Sequence, residues 1–120
     1  MHRPGADKLD MQPDDFICDF TGRPWDGTFP MVEGHQGSLI SGEALRVAFV
    51  DVVLLGNDSK PPGATCVMCL EVRHDPGWQS PVPVPPREEG AVICRRCIRQ
   101  SATRLDKDPD WQWSKPAAKA

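Results

Sequence analysis

The chain has no tyrosine, little apolar material and no long apolar run, and each shortage narrows what it can be. Hydrophobic residues fill 39% of its 120 positions and aromatic ones 7%, while ten glycines and thirteen prolines take up 23. So thin a supply excludes a large self-sufficient core, and this length supports one domain or two very small ones. Such a chain needs a staple, and a bound metal is the expected one. The longest apolar run, residues 47–56, is interrupted by Asp51 and is too short to cross a bilayer, so no membrane partner is expected. Residues 1–15 are polar and acidic, without the apolar stretch of a signal peptide, which points to the cytoplasm. An excess of positive charge is missing too. The net charge is −3, the reverse of a general nucleic-acid binder.

What the chain has instead is cysteine in a pattern. Cys66-Val-Met-Cys69 and Cys94-Arg-Arg-Cys97 are two matched pairs separated by 24 residues. Two residues between the members of a pair let both sulfurs face one ion, so the four cysteines predict a single tetrahedral Zn2+ site. Three other readings compete. A dithiol redox pair would need one exposed, low-pKa pair rather than two matched ones. Two disulfides would need an oxidising compartment, and four buried thiols would have no reason to keep this spacing. With four protein ligands the coordination sphere is closed, which marks a structural ion rather than a catalytic one.

The charge is unevenly spread. Residues 1–59 carry four Lys/Arg against ten Asp/Glu, a balance of −6; residues 60–107 carry eight against five, a balance of +3. Along the chain, residues 1–15 read as a disordered acidic lead-in. The clearest helix begins after Ser41, a good N-cap, has an apolar body over residues 44–55, and stops at Gly56. Being apolar nearly all round, it must be buried on more than one side. Residues 57–63 form a linker by composition. Beyond it, residues 66–69 predict a knuckle, residues 70–73 and 91–93 two arms of a hairpin, and residues 94–105 a second helix. The proline-rich segment 81–86 reads as a stiff excursion in the hairpin loop, with a polyproline ligand as the alternative. Residues 108–120 form a tail whose Trp111 and Trp113 are expected to dock back onto the chain.

Knuckle, hairpin and a helix whose first turn supplies the last two ligands make an α+β treble clef. The helix N-terminus suits thiolates, and Arg95 and Arg96 can offset their charge. Val92-Ile-Cys94-Arg-Arg-Cys97-Ile, after an upstream pair, resembles the N-terminal zinc-binding domain of the ClpX unfoldase over residues 64–107. No ATPase module accompanies it, and the proline-rich insertion departs from that family's pattern. The resemblance implies a small module that dimerises and recognises other proteins, without proteolysis.

Residues 16–56 look like a second copy that has lost its metal. Cys18-Asp-Phe-Thr21 precedes Cys66-Val-Met-Cys69 by 48 residues, and Ser38-Leu-Ile-Ser41 precedes Cys94-Arg-Arg-Cys97 by 56, so Thr21, Ser38 and Ser41 are read as replaced ligands. Cys18 is then a buried free thiol, or half of a weak site with His35. His74 and His2 are assigned no role. The expected function is a non-catalytic structural-zinc interaction or adaptor module that meets a protein partner or a second copy of itself. Nucleic-acid binding through Arg73, Arg87, Arg95, Arg96, Arg99, Arg104 and Lys107 is the alternative, and a thiol oxidoreductase ranks behind it. No catalytic constellation is legible, so no enzyme is expected.

Overall fold

The computed structural model describes residues 1–117. It contains two helices and two antiparallel two-stranded sheets, an α+β arrangement. Strands β1 (Met31–Glu33) and β2 (Leu39–Ser41) pair with Met31 opposite Ser41. Helix α1 (Gly42–Ala48) follows directly, capped by Ser41, whose hydroxyl accepts the Ala44 N–H at 3.2 Å. From Phe49 the helix widens into a π-helical stretch to Leu54, where Leu55 N–H reaches Val50 O at 2.9 Å. Strands β3 (Gly77–Gln79) and β4 (Val92–Cys94) pair with Gly77 opposite Cys94, and helix α2 (Arg95–Asp106) leaves β4 at once. None of the described helices is long and apolar enough to cross a membrane.

The two halves share one plan in a set of matching hydrogen bonds. Each opens on a tight turn. Cys18 N–H donates to Arg23 O and Gly22 N–H to Cys18 O; Cys66 N–H donates to Glu71 O and Leu70 N–H to Cys66 O. The fifth residue of each turn has a left-handed backbone, with φ of 75° at Gly22 and 62° at Leu70. Isolated pairing closes each turn, Ile17 with Pro24 and Thr65 with Val72. The hairpins are then tied back alike, by Gly42 N–H to Pro30 O and Arg95 N–H to Pro76 O. Finally, Ser41 N–H points at Cys18 Sγ and Cys94 N–H at Cys66 Sγ, both at 3.3 Å. The bond pattern recurs, but not in the expected register. Ser41, not Ser38, stands where Cys94 does, and Ala44 stands where Cys97 does. A three-residue slip kept the serine spacing in view while the hairpin register overruled it.

The halves are not separate bodies. Phe20, Ile40, Leu45 and Val52 join Ile93, Ile98, Ala102 and Leu105 in one buried cluster, with the Phe20 and Trp78 rings stacked at 5.8 Å. Helix α2 turns Cys97, Ile98, Ser101, Ala102 and Leu105 inward, the i, i+4, i+8 stripe of a helix lying on a core. Helix α1 and its π-helical extension pack against it, which gives the apolar helix its second buried side. The β1–β2 turn meets the Cys66 turn closely: a Cβ at Gly34 would lie 2.7 Å from Met68 O, and His35 N–H donates to that same oxygen.

Three other expectations change. The first hairpin arm is Gly77–Gln79 rather than residues 70–73, because Leu70 turns left-handed and Val72 is used to close the knuckle. The proline-rich segment is the β3–β4 loop, as expected, and Val84 within it is buried. The acidic lead-in is tied down at both ends instead of being disordered: Arg3 N–H donates to Asp15 O and Ile17 N–H to Met1 O, while His2 pairs with Phe16. A composition of charges and breakers does not register such backbone pairing along an edge. In the tail, Trp113 docks as expected, buried, with its Nε1–H on Gly42 O at 2.9 Å and Arg46 over its ring. Positions 118–120 of the tail lie outside the described residues.

Candidate metal centre

The knuckle and the start of α2, which carry the two cysteine pairs, converge. Cys66 and Cys69 lie on the knuckle that Leu70 bends; Cys94 ends β4 and is the residue before α2, and Cys97 lies in the first turn of that helix. All four Sγ atoms fall within 4.8 Å of one another. Cys69 and Cys94 are 3.9 Å apart, far beyond a disulfide and close to the ~3.8 Å edge of a tetrahedron with ~2.3 Å metal–sulfur bonds. Cys66, Cys94 and Cys97 are buried and Cys69 is half-buried. Four converging thiols of this size and softness can hold one metal ion.

Local electrostatics say the same. Hydrogen bonds from the Cys94 thiol, then from Cys97, pull the Cys66 thiol far below its usual range. In return the bond to Cys66 pushes Cys94 up to about 12, and Cys66 followed by Cys94 pushes Cys97 higher still. Among Cys66, Cys94 and Cys97 these bonds favour a thiolate on Cys66 braced by its two neighbours. A divalent cation is what allows all four to ionise.

Around the sulfurs, charged side chains tie the knuckle to the helix start. Arg96 pairs with Glu71, and its backbone N–H donates to Asp75 Oδ2 at 3.1 Å; Arg73 Nε donates to Asp75 Oδ1 at 2.8 Å. Burial raises the Asp75 carboxyl, but the Arg96 N–H and the Arg73 side chain overcome it and hold it below the ordinary value. Glu71 is lowered by Arg96, and Arg96 is held more firmly protonated by Glu71 first and Cys69 second. Arg96 therefore lies beside the Cys69 sulfur. Arg95 does not share that part: its N–H serves Pro76, and its Nε is buried without a partner.

The other candidates separate. Cys18 is fully buried with its sulfur accepting the Ser41 N–H, whereas exposed His35 lines an open groove of about 740 Å³ with Cys69, Cys97, Arg96 and Arg104. The pairing of Cys18 with His35 does not form. Among the described residues the four-cysteine cluster is the one group of three or more potential ligands that converges, and exposed His74 and His2 stand outside it.

Asp19 escaped the sequence reading. It is 1% exposed, accepts Leu39 N–H at 2.7 Å, and pairs with Arg87 and the Met1 amine, both at 2.8 Å. The only signal was its place directly after Cys18, where the second half has the apolar Val67.

No family model, curated protein or solved structure matches the chain. What the site can do is therefore read from its own geometry.

Proposed function

We propose that this chain is a non-catalytic interaction module of treble-clef type, stapled by one structural Zn2+ on Cys66, Cys69, Cys94 and Cys97. The convergence of four sulfurs at metal-binding separation carries the reading. Soft thiolates in a closed tetrahedral set favour zinc and leave no coordination place for substrate. The order of knuckle, hairpin and helix, and the resemblance of residues 92–98 to the ClpX zinc-binding domain, support the same reading. A cytoplasmic setting suits free thiols of this kind.

The partner we propose is a protein, either another chain or a second copy of this one. Val47, Leu55 and Val82 are half or more exposed, and Val47 and Leu55 flank a shallow apolar cavity of about 570 Å³ beside Trp78 and Pro81. Unpartnered apolar surface of this kind suits a protein contact. A second reading, nucleic-acid binding, draws on Arg99 and Arg104 of α2 and Lys107 at its C-cap, which lie together and form no ion pair among the described residues.

Metal content measured together with solution mass tests the proposal. One zinc per chain, with loss of structure on chelation, is the expected result. A chain that contains no zinc, or one whose disulfide-exchange activity survives chelation, overturns it in favour of a thiol oxidoreductase. Binding to duplex or single strand that falls steeply with salt would favour the nucleic-acid reading.

A further inference from the structure

The bond pattern common to the two halves extends to the positions that hold the sulfurs. In the second half, four positions hold the sulfurs: the first and fourth residues of the knuckle, the last residue of β4 and the third of α2. The same four positions in the first half are Cys18, Thr21, Ser41 and Ala44. The bonds that place ligands in one half recur in the other, from the knuckle bonds to the 3.3 Å contact of the helix-leading N–H with the first sulfur. Hairpin registers agree as well, Met31 with Ser41 and Gly77 with Cys94. Even the cross-link from knuckle to second strand is kept, Asp19 N–H to Leu39 O and Val67 N–H to Val92 O, each at 2.9 Å.

Two features occupy the first half that the second lacks. The Ser41 hydroxyl caps α1 by accepting the Ala44 N–H. Asp19 returns a second bond to Leu39 and anchors Arg87 from the other half. Asp19 joins the knuckle to the hairpin and the Ser41 hydroxyl fixes the helix start, the elements a metal would otherwise hold together. Ala44 offers no ligand atom at all, so the native set is one thiol and two hydroxyls, too few and too hard for zinc.

We propose that residues 16–56 carry a latent tetrahedral metal frame, closed and braced in the native chain by Asp19 and the Ser41 cap, with Cys18 as its surviving ligand. A thiophilic divalent ion, zinc or cobalt, is the ligand class it would take once positions 21, 41 and 44 are thiols. The inference rests on the metal reading of the Cys66 cluster only for its template.

The test uses the full chain with Thr21→Cys, Ser41→Cys and Ala44→Cys together. Zinc content is expected to rise from one to two per chain, and the thiolate-to-cobalt absorption of the cobalt form to double. A control triple of Thr21→Cys, Ser38→Cys and Ser41→Cys, built on the slipped register, is expected to gain no second tight ion. Because Ser41→Cys weakens the cap, the double variant Thr21→Cys with Ala44→Cys keeps Ser41 and should bind a second cobalt through three thiols, more weakly. A triple variant that keeps the first cobalt spectrum but no second ion overturns the frame, as does failure of both variants to gain an ion. Equal uptake by the control overturns it too. A wild-type chain without metal would instead sink the zinc reading, and the frame would then stand or fall on whether the triple variant binds one ion more than wild type.

Discussion

At the scale of single residues, Asp19 and Asp75 do comparable work in opposite halves. Each carboxylate ties a knuckle to a later element, Asp19 through Leu39 and Arg87, Asp75 through Arg73 and the Arg96 N–H. Asp19→Asn leaves Arg87 facing a neutral amide and weakens a buried bond. A loss of roughly 1–3 kcal/mol in urea unfolding is expected, and a change under about 0.5 kcal/mol would refute the bracing role. Asp75 braces the helix start beside the proposed metal centre, and the direction of its pKa shift gives the sign. A carboxylate whose folded pKa is lowered contributes stability above its unfolded value of about 3.9, and loses it only as pH falls through the folded value. Zinc leaves when the thiols protonate, a process that acid drives before Asp75 itself titrates. At that point Asp75 still contributes about 1 kcal/mol through its two partners. Asp75→Asn should therefore shift the midpoint of zinc release upward by about 0.2–0.4 pH unit, if two to four protons enter together. An unchanged midpoint would show that Asp75 does not hold the helix start.

At the scale of elements, the knuckles provide an internal comparison. The same left-handed position is Gly22 in one and Leu70 in the other. A side chain there costs about 1–2 kcal/mol, partly returned by the entropy glycine loses on folding. Leu70→Gly is expected to raise stability by about 0.5–1 kcal/mol, since Leu70 is exposed and contributes little packing. Gly22→Leu should cost about 1–2 kcal/mol, and more if it displaces Val84, which lies 3.5 Å from a Cβ built there. Thermal unfolding of the two variants reads both signs. The same position explains what the sequence could tell. The metal pairs, Ser41 as a cap and helix α2 were legible, because spacing, capping chemistry and a 3.6-residue stripe are local. The partner of β4 was not. Leu70 and Val72 have strand-like apolar character, yet no local property reveals that the chain turns left-handed at Leu70 itself. The slip of the repeat has the same origin: Ser38 and Ser41 imitate the spacing of Cys94 and Cys97, and only strand pairing shows which serine leads its helix. Asp19 was illegible for another reason, since its partners come from 20 and 68 residues further along the chain.

At the scale of the molecule, one core spans both halves, and this decides how the chain would respond to removal of the proposed ion. Residues from both helices, both hairpins and the tail Trp113 belong to a single buried cluster that includes Cys66, Cys94 and Cys97. Structural zinc contributes roughly 10–16 kcal/mol in small peptides, while a whole domain is stable by only about 5–15 kcal/mol. Chelation thus removes more than the chain has to spare. Among the described residues the first half brings no ligand cluster together, and it leans on Ile93, Ile98 and Leu105 of the half that carries the cysteine cluster, so it should not survive alone. The expected outcome is one cooperative transition: tryptophan fluorescence reporting Trp113, and amide exchange in residues 39–48, should change at the same chelator concentration as exchange in residues 94–105. If protection of residues 39–48 outlasted that of residues 94–105, the halves would be separable units and the single core would not be what binds them. Coincidence of the two would make the ion a switch for the entire surface, including the apolar face around Val47 and Leu55, so that partner binding and zinc occupancy would rise and fall together.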